Sequence, residues 1–88
     1  MVTQTQDGVS YMNDFTYNRS WEQIEDLLNK VVAERAIHKR AINDPKTSMK
    51  AKVQHMRDYK GLQGASYALR WVLGDRRMSK AKVLGVEK

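Results

Sequence analysis

The chain contains a single proline, Pro45, which separates two long segments whose apolar residues recur with α-helical spacing. A residue that precedes proline is pushed out of the α region, so no helix continues through Asn43, Asp44 and Pro45. Helices joined by a short connection pack as antiparallel neighbours. The sequence therefore predicts an all-α fold built on an antiparallel helical hairpin, with helices over about residues 21–42 and 46–73.

A capping box marks the start of the first helix. Ser20 is a good N-cap, and Gln23 stands three residues later, where its side chain can return a hydrogen bond to the cap. Acidic residues follow in the first turns, where the helix dipole favours negative charge. The apolar stripe of this helix consists of Ile24, Leu27, Leu28, Val31 and Ile42.

Two starting points are open for the second helix. Asp44 can cap it with Pro45 in the first position, or it can begin a few residues later at Thr47 or Ser48. Gly74 supplies the usual terminator, which ends the helix near residue 73.

The second helix has more apolar faces than one neighbour can cover, which is typical of an interior helix. One stripe contains His55, Tyr59, Leu62, Leu69 and Leu73, and another face contains the small residues Gly61, Gly64, Ala65 and Ala68. The glycines indicate close packing with the first helix or with another copy, or alternatively close approach of a phosphate. We expect assembly into a helical-bundle oligomer. The predicted interface residues are Trp21, Met49, Val53, Met56, Tyr67 and Trp71.

The two ends are expected to be accessory parts of one domain, residues 1–88. Residues 1–19 form a polar extension, in which Asp7 and Gly8 favour a tight turn between short strands over residues 2–5 and 9–12. The hairpin then occupies residues 20–74, and residues 75–88 form a basic tail.

The absence of cysteine excludes disulfides and thiolate metal sites, and a reducing cytoplasm is the natural compartment. No apolar run approaches the length of a membrane span, and no secretory pattern begins the chain, so no membrane contact is expected. A domain this small is marginally stable alone, which leaves oligomerisation as its stabiliser.

The net charge of +6 is unevenly distributed. Residues 1–30 contain two Lys/Arg and five acidic residues, whereas residues 31–88 contain fourteen Lys/Arg and five acidic residues. A strongly basic segment suggests a polyanionic partner, or head-to-tail contact between copies. The candidate phosphate-binding cations are Lys46, Lys50, Lys52, Arg57, Lys60, Arg76, Arg77, Lys80 and Lys82.

A polar layer is predicted where the two helices face each other. In a hairpin that turns near residues 45–47, Arg35 and His38 face Asp58 and His55, with Glu34 nearby. One interpretation is a metal site, because imidazole and carboxylate ligands suit zinc, iron or manganese. The favoured interpretation is an ion pair between Arg35 and Asp58 beside hydrogen-bonded histidines, a structural layer that requires no metal.

The sequence contains no arrangement typical of an enzyme. It has neither a nucleophile relayed through His and Asp nor a phosphate-binding glycine loop. We therefore expect a protein without a cofactor that acts by binding, with nucleic acid slightly favoured as the partner. The alternative is a protein-interaction module that contacts a host or partner protein, of the kind that phages encode as accessory factors.

Overall fold

The computed structural model describes residues 15–86, and within this range the chain forms three helices and no strand. Helix α1 spans Trp21–Asn43, helix α2 spans Met49–Val72, and the short helix α3 spans Lys80–Leu84. Helices α1 and α2 pack against each other as the predicted hairpin, so the all-α architecture is confirmed. The strand pair expected over residues 2–5 and 9–12 lies outside the described residues.

The start of α1 is the predicted capping box. The Gln23 backbone N–H donates to Ser20 Oγ at 3.1 Å, and the Ser20 N–H donates to Gln23 Oε1 at 2.8 Å. The helix ends at Asn43, and Asp44 adopts an extended conformation, as the residue before a proline should. The sequence therefore predicted both ends of α1 to within one residue.

Helix α2 begins at Met49, three residues later than the expected start at residue 46. Ser48 is the N-cap, and its hydroxyl accepts a hydrogen bond from the Ala51 N–H at 3.2 Å. Asp44 does not cap the helix, because its carboxylate closes a local turn by accepting from the Lys46 N–H at 2.9 Å. Of the two starting points that the sequence left open, the later one is correct.

Helix α2 is closed by Gly74 in a left-handed conformation, and this positive φ favours glycine because it has no Cβ. Its φ is +85°, its N–H donates to the Trp71 carbonyl at 3.0 Å, and the Asp75 N–H reaches back to the Arg70 carbonyl at 2.9 Å. This pair of bonds is a Schellman motif. It turns the chain back, so that the following segment returns along α2.

The predicted basic tail is partly helical and docked. Ser79 caps α3 by accepting from the Lys82 N–H at 3.1 Å, and α3 packs on α2. Trp71 of α2 lines a surface recess together with Val83 and Leu84 of α3. The segment predicted as a basic tail, residues 75–88, therefore contains a short helix that packs on the outer side of α2.

The core between α1 and α2 is small. Among residues 15–86, Val31 is the one apolar residue with less than a tenth of its surface exposed, at 8%, and Ser66 is the one polar residue fully removed from solvent. Many large apolar side chains lie on the surface instead, with Trp21 65% and Met49 75% exposed. The hairpin thus leaves much of its apolar surface accessible to a partner.

The mid-helix glycines do not serve the contact with α1. A Cβ atom built on Gly61 or Gly64 would meet nothing within 4 Å. Close packing of these residues against the first helix, one of the sequence-based interpretations, is therefore wrong. The space beside them is open in the single chain.

Gly64 lies within a regular helix, whereas Gly74 has a positive φ, so replacing each of them with alanine should have opposite effects on stability. Gly64→Ala should raise the free energy of unfolding by roughly 0.5–1 kcal/mol, because alanine fits the helix and restricts the unfolded chain. Gly74→Ala should lower it by roughly 1–2 kcal/mol, because the left-handed conformation is unfavourable for a residue with a Cβ. Urea unfolding measures both. A destabilising Gly64→Ala would show that another backbone occupies the space beside that residue.

Candidate functional site

The two histidines meet at the contact between the helices, which we call the seam. His38 of α1 and His55 of α2 are half-buried, and their Nδ1 atoms lie 2.8 Å apart with ring planes tilted by 49°. In such a contact one nitrogen donates its hydrogen and the other accepts it. At most one of the two imidazoles can therefore be protonated on both nitrogens while the contact lasts.

Arg35 and Asp58 do not form the predicted ion pair. Arg35 Nη1 lies 3.5 Å from Ser66 Oγ, and its guanidinium carbon is 6.0 Å from the centre of the Tyr59 ring. Asp58 instead accepts a hydrogen bond from Gln54 Nε2 at 3.1 Å, one turn earlier on α2.

The helical period explains this separation. Asp58 and Ser66 are eight residues apart, which places them about 80° apart around α2 at 100° per residue. Long helical side chains also lean toward the N-terminus of their own helix, and in an antiparallel hairpin this direction carries Arg35 toward the later residues of α2. Residue spacing correctly placed both residues near the seam but did not distinguish its two edges.

Ser66 is the seam residue that sequence reasoning missed. Its side chain is 0% exposed, and its hydroxyl donates to the Gln63 carbonyl at 2.8 Å while lying within reach of Arg35. A small hydroxyl residue between Leu62 and Leu69 on the contact face was the available signal. At this point a larger side chain would collide with α1 or displace the guanidinium.

Two of the nine predicted phosphate-binding cations have partners within the chain. Arg77 forms a two-pronged ion pair with Asp75, with Nε–Oδ1 and Nη2–Oδ2 distances of 3.0 and 2.9 Å. Hydrogen bonds from the Arg77 side chain, and then from its backbone, hold the pKa of Asp75 at about 2. Lys82 Nζ lies 5.6 Å from the centre of the Tyr67 ring, a cation–π contact that helps dock α3.

The other seven predicted cations form no ion pair within residues 15–86. Helix α2 has five Lys/Arg and one acidic residue, whereas α1 has four of each. The positive charge of α2 is therefore uncompensated along its length. These seven residues are Lys46, Lys50, Lys52, Arg57, Lys60, Arg76 and Lys80.

The predicted apolar interface is divided by α3. Tyr67 is half-buried beneath Lys82, and Trp71 is 45% exposed beside α3. Met49, Val53 and Met56, at the other end of α2, remain exposed. We call these three residues the open apolar stripe. The remaining predicted interface residue, Trp21, lies at the start of α1 and is exposed. Leu27 and Ile37, two further exposed apolar residues of α1, were not among the predicted interface residues.

The sequence also allowed a metal site with His38, His55, Asp58 and Glu34 as its ligands, and these four side chains do not come together. Within residues 15–86, no three His, Asp or Glu side chains come close enough together to hold a metal ion. The described helices also include none that combines the length and apolar character needed to cross a bilayer. The chain matches no protein-family model, no curated protein and no solved structure.

The histidine contact predicts a coupled response to mutation. Replacing either His38 or His55 with Leu should lower the free energy of unfolding by roughly 1–3 kcal/mol, because the other ring loses its partner in a half-buried position. The double replacement should cost less than the two single effects combined, as expected for residues in contact. A double-mutant cycle by urea unfolding measures this coupling.

The control cycle uses Arg35→Leu and Asp58→Leu, which should combine additively to within about 0.5 kcal/mol because these residues share no partner. Coupling between Arg35 and Asp58, with additivity between the histidines, would contradict the described seam.

Proposed function

We propose that this chain is a non-enzymatic, nucleic-acid-binding accessory or regulatory protein of the cytoplasm. The observation that supports the proposal is the uncompensated positive charge of α2 and of the segment that follows it. A surface of this kind attracts phosphates through electrostatics that do not depend on base sequence. The hairpin serves as the rigid support that presents it.

The cations of α2 favour one side of the helix. Lys50, Arg57 and Lys60 fall within an arc of about 80° at 100° per residue, away from the face that carries His55 and Ser66. They span ten residues, or about 15 Å of helix. Duplex DNA carries one charge per about 1.7 Å of its axis, so several phosphates lie within reach of this side. Lys46 extends the row beyond the start of the helix.

Salt dependence tests this proposal. With four to six phosphate contacts per chain, affinity for duplex DNA or RNA should fall by a factor on the order of 10²–10³ between 50 and 200 mM salt. Changing Lys50, Arg57 and Lys60 together to Gln should reduce the slope of log K against log salt by roughly 2–3. Fluorescence anisotropy with labelled duplexes measures both quantities.

The matched control removes the same charge elsewhere. Arg19, Lys39 and Arg40 also form no ion pair within residues 15–86, but they flank or belong to the charge-balanced α1. Changing these three to Gln should leave most of the affinity and slope intact. Equal losses in the two triple variants would indicate a response to net charge alone, and no binding at 50 mM salt would refute the proposal.

A second candidate function is protein interaction, including self-association into a helical bundle. The open apolar stripe supports it, because exposed apolar residues at helical spacing favour docking of another helix. Methionine adapts readily to different partner surfaces, and two of these three residues are methionines. In this function the cations around the stripe would select an acidic partner, or the acidic start of α1 in another copy.

Self-association through the stripe has a direct test. Light scattering at micromolar concentration should show a dimer or larger species, and Val53→Glu should reduce it to a single chain by placing a charge in the contact. Ile37→Glu is the control, because Ile37 of α1 is 47% exposed and Val53 is 42% exposed. A single-chain mass for the unaltered protein would exclude self-association. The open apolar stripe would then be a contact surface for a different protein.

A further inference from the structure

We propose that His38 and His55 form a two-histidine site for a divalent transition-metal ion of the zinc, nickel or copper class, which would fasten α1 to α2. The proposal rests on the contact between the two rings and is independent of the proposed nucleic-acid binding.

The distance between the two nitrogens is close to that of a bound pair. The Nδ1 atoms are 2.8 Å apart. Zinc binds imidazole nitrogen at about 2.0–2.1 Å, so tetrahedral ligands lie about 3.3–3.4 Å from each other. The ring centroids are 5.1 Å apart, so the two Nδ1 atoms face each other almost head-on. To admit the ion, the nitrogens must separate by about half an ångström and each ring must rotate until its Nδ1 lone pair points at the ion. Each helix supplies one half-buried ring, so the rearrangement involves one side chain on each side of the seam.

The proton balance also permits binding. In the neutral pair, one ring has its hydrogen on Nδ1 and the other has it on Nε2. As the ion takes the place of the shared hydrogen, the first ring moves its proton to Nε2, and both Nδ1 lone pairs become ligands. No oxidant or reductant is involved. If the pair carries an extra proton beforehand, that proton is released to solvent.

The charged side chains around the pair are of both signs, so they neither strongly attract nor exclude a cation. Arg35 stands three residues before His38 but turns its guanidinium toward Ser66. The same guanidinium lies 6.0 Å from the centre of the Tyr59 ring, and Tyr59 is four residues beyond His55, or about 6 Å along α2, so this positive charge stays near the pair. Two carboxylates stand at helical spacing from the pair, Glu34 four residues before His38 and Asp58 three residues after His55. One further cation, Lys52, stands three residues before His55. Such spacings place each carboxylate on the same side of its helix as the histidine.

The site has two protein ligands from the described residues, since no third His, Asp or Glu joins the pair there. Water or a ligand from outside would complete the coordination of the ion. Imidazole suits zinc, copper and nickel, whereas magnesium prefers oxygen. Because the two ligands come from different helices, the ion binds the folded hairpin in preference to the unfolded chain and stabilises it. Metal availability would thus adjust the stability of a seam with a small apolar core.

The test uses the full chain without an affinity tag. Zinc or nickel at saturation should raise the thermal unfolding midpoint by several degrees at pH 7 with one ion per chain, and magnesium should not. His38→Gln and His55→Gln should each abolish the rise, and Lys39→Gln, a neighbouring change that leaves both rings intact, should retain it. No rise in the parent protein, or an equal rise in the double His→Gln variant, would overturn the proposal.

A second measurement needs no variant. Copper(II) added to the parent protein should give an electron paramagnetic resonance spectrum with hyperfine splitting from two imidazole nitrogens. Splitting from one nitrogen, or from none, would overturn the two-histidine site even if the histidine variants fail to fold.

Discussion

The packing of α1 against α2 is the interaction on which the other features of this chain depend. It brings the two histidines together, encloses Ser66, and leaves one side of α2 facing away from α1. The enclosed apolar surface is small, because α1 offers one stripe to a helix that is apolar on several sides. The stability of the hairpin therefore depends on polar contacts and caps to a greater degree than in a domain with a large core.

The polar contacts of the seam have distinct consequences. Ser66 satisfies its hydroxyl through the Gln63 carbonyl, so its complete burial leaves no unpaired group. In the histidine contact, one Nδ1 donates its hydrogen and the other accepts it, so each ring is the hydrogen-bond partner of the other. If a metal ion binds there as proposed, the stability of the hairpin varies with the availability of that ion.

Docking of α3 changes the character of the surface that the chain presents. It covers part of the apolar face around Tyr67 and Trp71, and it holds Lys82 against an aromatic ring. The Asp75–Arg77 ion pair similarly neutralises the charge of one predicted phosphate-binding cation within the chain. Four of the seven remaining cations, Lys50, Lys52, Arg57 and Lys60, then lie on the same helix as the open apolar stripe. Phosphate binding and protein binding would therefore compete for adjacent parts of α2 or combine in one contact.

Local chemistry allowed the sequence to predict much of this fold. The Ser20–Gln23 capping box, the break at Pro45 and the positive φ of Gly74 act over a few residues, so they determine the helix ends without reference to the rest of the chain. The hairpin follows from the short connection. The approach of His38 to His55 follows from their similar distances from the turn, which is why spacing alone placed both at the seam.

Only the tertiary structure decided which groups pair. Arg35 reaches the buried Ser66, whereas Asp58 lies about 80° away around α2 and pairs with Gln54. The docking of α3, the burial of Ser66 and the open space beside Gly61 and Gly64 depend equally on where separate elements come to rest. The physical reason is the range of the interactions. Caps, turns and helical periods are properties of neighbouring residues, whereas side-chain partners across a seam depend on the rotation of each helix about its axis, which is set by the packing of the whole hairpin.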